Sequence, residues 1–134
     1  MSVLNALSAA IYSKLSGGAA LTTLLGGAYI YHLQAPTDAA LPYVVFSLQA
    51  GGPENITPSD MHNDVYFIRA YAASALVAGN IDAAISTLMQ TVLTVTGYTN
   101  YALTREQDFA LVENPPNKQP VFMAGAFYRI RLDS

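Results

Sequence analysis

The side chains of this 134-residue sequence that could move protons, hold a metal or attack a substrate are few: two histidines, nine Asp or Glu residues and the hydroxyls, with no cysteine. Acid–base catalysis needs two groups poised in one cleft, whereas Asp38, Glu54, Asp60, Asp64, Asp108 and Glu113 are scattered through segments that read as loops. A serine nucleophile would need a strained Gly-x-Ser-x-Gly turn and a histidine oriented by a carboxylate; the sequence contains no such pentapeptide. Gly17-Gly18 and Gly26-Gly27 flank a short helical stretch with no lysine following, the arrangement of helix stops and not of a phosphate-cradling loop. His32 falls in a predicted strand and His62 in a predicted loop. Only Asp60 and Asp64 stand near His62 at ligand spacing, which reads as a solvated polar loop. The expectation is a protein that is no enzyme and has no metal and no cofactor.

Composition narrows the remaining classes. Charged residues make up 11% of the chain and apolar ones 52%, against a charged share of about 25% in ordinary soluble domains. Such a surplus suits an obligate assembly, whose permanent interfaces are apolar and depleted in charge. The bland alternative is a large core under a Ser/Thr/Asn/Gln coat. A formal charge of −3 with six Lys and Arg in total argues against nucleic acid as the main ligand. The segment 1–25 is apolar, but it has no positive leading region, and Ser8, Ser13, Lys14 and Ser16 interrupt it. It therefore predicts neither export nor a membrane span, and a cytoplasmic protein.

The elements that must position any functional group follow from periodicity. Ser2 can cap a helix whose Val3, Leu4, Leu7, Ala10, Ile11 and Leu15 recur at three- and four-residue steps up to Gly17-Gly18. A short helical turn over 20–25 and a strand over 28–33 follow. Tyr43 to Ala50 alternates, with Val44, Phe46 and Leu48 toward the core. Gly51 to Asp64 reads as a long functional loop, and Val65 to Ala72 as the returning strand. Asn80 is a plausible cap for a helix over 81–93, or Gly79 lies inside a longer helix beginning near Ala75. Two short strands, 98–103 and 109–113, precede a last strand, 121–132. There Phe122, Ala124, Ala126, Tyr128, Ile130 and Leu132 share the core face. Arg129 and Arg131 on its other face, with Arg69, form a candidate basic patch, or else they pair with acids such as Asp108 or Glu113. This order predicts one α+β domain over 1–134: a mostly antiparallel sheet, two main helices on one face, a long loop between central strands and no parallel pairing.

The runs Ile11-Tyr12-Ser13-Lys14-Leu15, Ala20 to Gly27 and Leu41-Pro42-Tyr43-Val44-Val45-Phe46, continued by the strand 63–72, the helix ending Leu88 to Leu93 and the strand ending Tyr128-Arg129-Ile130-Arg131, resemble the tail-completion, or tail-terminator, proteins of long-tailed bacteriophages. These are head–tail joining proteins of the neck. The resemblance covers nearly the whole chain in order. It implies a structural virion protein of the tail–neck region, assembled in the host cytoplasm, that closes into a six-fold homo-oligomeric ring. Such a ring caps the tail tube, ends its polymerisation and joins the tail to a head-side connector or stopper, with genomic DNA passing through the lumen without sequence-specific binding and no membrane involved. Whether the particle is an infectious phage, a prophage product or a gene-transfer agent is left open.

Loop length and exposed-face tyrosines select the candidate subunit or tube contacts: Tyr29, Tyr31, Gly51, Gly52, Pro53, Glu54, Asn55, Asp60 and His62. Rival readings are a small ligand-binding α+β domain whose pocket is walled by Tyr43, Tyr66, Tyr71, Tyr98, Tyr101 and Tyr128, and another neck or connector subunit that contacts DNA through Arg69, Arg129 and Arg131.

Overall fold

The computed structural model describes residues 3–53, 61–116 and 118–134. The expectations for Ser2 and for Glu54, Asn55 and Asp60 fall outside the described residues. Helix α1 (Val3–Ser16) buries Ala6, Leu7, Ala10, Ile11 and Leu15 along one stripe. Helix α2 (Ala19–Leu25) ends at Gly26, whose φ of 78° is the left-handed cap that glycine adopts at little cost; its N–H returns to the carbonyl of Thr23. Helix α3 (Ala75–Leu88) starts where Ser74 Oγ accepts the Val77 N–H at 3.2 Å. The cap is therefore Ser74 and not Asn80, and Gly79 lies within the helix, as in the longer of the two sequence readings. Because the helix stops at Leu88, Val92 falls off the apolar stripe and is exposed.

Six strands form one sheet in the order β1-β2-β3-β6-β5-β4, with β1 (Ile30–His32), β2 (Tyr43–Pro53), β3 (Met61–Ala72), β4 (Thr94–Val95), β5 (Tyr98–Glu113) and β6 (Val121–Asp133). The helices cover one face. Val44, Phe46, Tyr66, Ile68, Ala126, Tyr128, Ile130 and Leu132 meet Leu7, Ile11, Leu21, Ile81 and Ile85 in a single buried cluster. The α+β class, the mostly antiparallel sheet and the core faces of β2 and β6 are thus as the sequence indicates. Among the described residues no helix is long and apolar enough to cross a membrane.

Three expectations are corrected. The pair β1–β2 is parallel, Ile30 to Val44 through His32 to Phe46, because the connection 33–42 carries the chain back to the start of β2 without a helix. Most of the flanks of the expected Gly51–Asp64 loop are strand: Gly51, Gly52 and Pro53 pair with Asp64, Asn63 and His62, so His62 sits in β3 and not in a loop. The two short strands are one, β5, whose irregularities are absorbed by bulges at Asn100/Ala102 and Arg105/Gln107. The charged middle of that strand looks loop-like in sequence, but its charges are paired in space. Arg105 donates to both oxygens of Asp82 at 3.2 and 2.8 Å, to Asp108 at 2.6 Å and to the Tyr128 hydroxyl at 2.8 Å. Burial alone would lower the Arg105 pKa; Asp82 and Asp108 outweigh it and hold the guanidinium charged.

Candidate assembly surface

The sheet face away from the helices is curled, so that side chains from strands that are not neighbours meet across it. Gln49 and Ala50 of β2 line one groove of about 490 Å³ with Glu106 and Gln107 of β5, although β3 and β6 lie between them. On the floor of this face Phe67, Phe109 and Phe127 pack at centroid distances of 5.5, 5.0 and 4.8 Å. Toward β1 the aromatic row continues through Tyr31, Tyr43 and Tyr71, with centroids 5.9 and 5.3 Å apart. Burial, then the nearby Tyr71 and Glu113, push the Tyr43 hydroxyl pKa upward.

The candidate contact residues separate into two places. Tyr29 and Tyr31 lie at the β1 edge, Tyr29 being exposed. Gly51, Gly52 and the backbone of Pro53 lie at the far end of β2, beside His62, whose ring meets Tyr98 edge-on at 5.7 Å. Tyr31 registers with Val45, and Gly52 is seven residues further along β2, about 23 Å at ~3.3 Å per residue. The two groups therefore belong to different parts of the surface.

The three arginines share the face away from the helices, where Arg129 and Arg131 are successive residues on that face of β6 and Arg69 stands apart from them. Arg69 lies opposite Gly125 and Arg129 opposite Val65, with the pair Phe67–Phe127 between. Arg69 donates to Tyr71 and to Ser47 at 2.9 and 3.1 Å and stands 4.8 Å over the Phe67 ring. Arg129 donates to both oxygens of Glu106 at 3.0 Å and to Asn63 at 2.7 Å. The acid that pairs with Arg129 is thus Glu106, neither Asp108 nor Glu113. The tyrosines of the pocket reading do not face one cavity: Tyr66 and Tyr128 are buried under the helices, while Tyr43 and Tyr71 lie on the other face. Among the described residues no cluster of three or more metal-ligating side chains exists.

Surface features that sequence reading missed lie on the opposite flank, where Leu76 is 75% exposed, Leu111 58% and Val112 51%, beside an apolar notch of about 270 Å³ lined by Ala75, Ala78 and Phe122. Their signal was the run Phe109-Ala110-Leu111-Val112, apolar at successive positions and hence on both faces of a strand.

Asp64, 2% exposed in β3, has a carboxylate oxygen, Oδ2, with no hydrogen-bond partner among the described residues. Desolvation raises its pKa, opposed by His62, so the native state binds this proton more tightly than the unfolded chain does. The stability contributed by the protonated form is full below the ordinary Asp pKa of about 3.9 and is lost as pH rises through the raised native value. Asp64→Asn is expected to gain about 1 kcal/mol at neutral pH, and the gain should vanish toward pH ~4. Urea unfolding at both pH values measures it; a loss at neutral pH would contradict the assignment.

The model of the family described as Tail completion protein gp17 matches residues 9–112. A chain in a solved structure titled virion of native gene transfer agent (GTA) particle has the same fold. The TM-score is 0.78 at 21% identity, and the match covers 99% of this chain and 98% of that one. No curated protein matches.

Proposed function

The chain belongs to the tail completion protein gp17 family and is a tail structural protein, and from that premise we propose that it closes into a six-fold ring capping the tail tube. In this reading the ring ends tube polymerisation at the neck of the virion and meets a head-side connector or stopper on its other side. Genomic DNA passes through its lumen without sequence-specific contacts, and assembly takes place in the host cytoplasm. The chain acts as one domain over 1–134. The β1 edge at Tyr29 and Tyr31 and the hairpin end at Gly51 and Gly52 supply subunit or tube contacts.

Family membership carries this proposal. Composition supports it, because a charge-poor chain with exposed Leu24, Tyr29, Leu76 and Leu111 has apolar surface to cover. The distribution of the arginines agrees with DNA as a passing occupant: Arg129 is neutralised by Glu106, and phosphate binding draws on clustered cations. The test is the solution mass across a concentration series, with and without tail tubes. Six chains of 14.3 kDa make a particle of 6 × 14.3 kDa, about 86 kDa. That species is expected either free or on addition of tubes, and a monomer indifferent to tubes would overturn the ring.

A further inference from the structure

We infer that the free edge of β5 from Gln107 to Glu113, with Leu111 and Val112 exposed on it, seats the β1 flank of a second copy of this chain, presented by Tyr29. This rests on the ring reading and specifies the contact that would build it.

Strand β5 is sixteen residues long, yet β4 pairs only with its Tyr98 and Thr99. From Gln107 to Glu113 its inner side runs in unbroken register with β6, Phe127 through Val121. Its outer side has no strand partner among the described residues. Such an edge presents a row of unpaired N–H and C=O groups, and monomeric proteins blunt it with lysine, proline, a bulge or a covering element. Among the described residues none of these guards the stretch 107–113. Both bulges precede it, and it contains no lysine or proline. Its two carboxylates stand toward its ends, Asp108 held by Arg105 and Glu113 lining a groove with Tyr43 and the connection 33–37, so Phe109 to Val112 between them carries no charge. An unguarded strand edge flanked by exposed leucine and valine is a pairing site.

The second copy follows from the other end of the sheet. Strand β1 is the opposite terminal strand, and its outer edge also has no strand partner among the described residues. Immediately before it in the chain, Tyr29 is 45% exposed. The two flanks are unlike each other. If β5 paired with β5 of a second chain, a two-fold dimer would form and leave both β1 flanks bare. Pairing β5 with β1 uses both surfaces in every subunit, leaves one of each free at every stage of growth, and ends only when the rotation closes. Tyr29 is uncharged, and no Asp, Glu, Lys or Arg occurs between Ala19 and Leu33, so docking against that segment desolvates no ion on it.

The absence of native cysteine makes the contact directly testable. Tyr29→Cys and Leu111→Cys are prepared as separate single variants, mixed before ring formation, and treated with a short bis-maleimide. Because each chain then carries one thiol, every cross-link joins two chains. A covalent dimer is expected from the mixture and from neither variant alone. A ring by mass with no dimer from the mixture would overturn this contact and leave the ring reading standing. A dimer from Leu111→Cys alone would overturn it in favour of a two-fold edge pairing. Absence of any ring would overturn both. Independently, Leu111→Arg guards the edge with a charge and should weaken ring association at least about tenfold with an unchanged far-UV spectrum; undiminished association would count against the contact.

Discussion

Gly125→Ala is expected to destabilise the protein by about 3 kcal/mol, although a strand glycine replaced by alanine would ordinarily gain about 0.4–1 kcal/mol through the less flexible unfolded chain. The reason is a close approach. A Cβ at Gly125 would stand 2.6 Å from the Ile68 carbonyl oxygen and 2.7 Å from both Cα and Cβ of Arg69. The atoms it meets are backbone or rooted to it, in a strand paired on both sides, so they have no rotamer by which to yield. The same absence of a side chain lets Phe109, opposite Gly125 on β5, close against Phe67 on β3. The substitution should therefore loosen the aromatic floor of the curled face along with the β3–β6 ladder. Gly79→Ala is the internal control, since nothing lies within 4 Å of the added Cβ in α3; it should gain about 0.5–1 kcal/mol. Denaturant midpoints of the two variants give opposite signs if the close approach governs. A Gly125→Ala protein as stable as the parent would show that β3 and β6 can part at no cost.

Asn100→Ala should cost about 3 kcal/mol as well, from a different cause. Asn100 is 5% exposed and sits at the first bulge of β5. Its Oδ1 accepts the Leu93 N–H at 2.8 Å, and its Nδ2 donates to the carbonyls of Ala102 at 2.8 Å and Arg131 at 3.0 Å. One amide thus bonds three backbone groups, the Leu93 N–H beyond the exit from α3 and the Ala102 and Arg131 carbonyls next to the bulge, and truncation removes all three bonds together. Asn100→Asp is the sharper comparison. A carboxylate can still accept from Leu93 but cannot donate to two carbonyls, so it should recover little of the loss at neutral pH. The readout is urea unfolding together with amide exchange at Leu93. Full stability of the alanine variant would mean that water or a shifted backbone replaces all three bonds.

Much of the architecture was legible in the sequence because a strand face or a helix stripe is written in the residues of the element itself. The alternation Phe122-Ala124-Ala126-Tyr128-Ile130-Leu132 identifies the buried face of β6, and the steps Leu7, Ile11 and Leu15 mark the inner stripe of α1. What misled the reading was composition taken without partners. Thr104 to Asp108 looked like a loop because its charges find their counterparts on other elements: Arg105 on Asp82 of α3, Glu106 on Arg129 of β6. Gly51 to Pro53 looked like the start of a loop, yet the hairpin ladder runs through it. The grouping of Tyr29 and Tyr31 with the glycines and His62 joined residues that register places about 23 Å apart.

By itself, then, the sequence determined the class of the fold, the core faces of β2 and β6, the poverty of charge and the family to which the chain belongs. Each of these is a local or additive property, read from period, composition or the order of short patterns. Only the tertiary structure decided the parallel seating of β1, the merging of two segments into β5, the partners of Arg105 and Arg129, and which two unlike strands end the sheet among the described residues. Those depend on which strand lies beside which and in what register, and pairing energy between residues distant in sequence leaves no period in either strand to read.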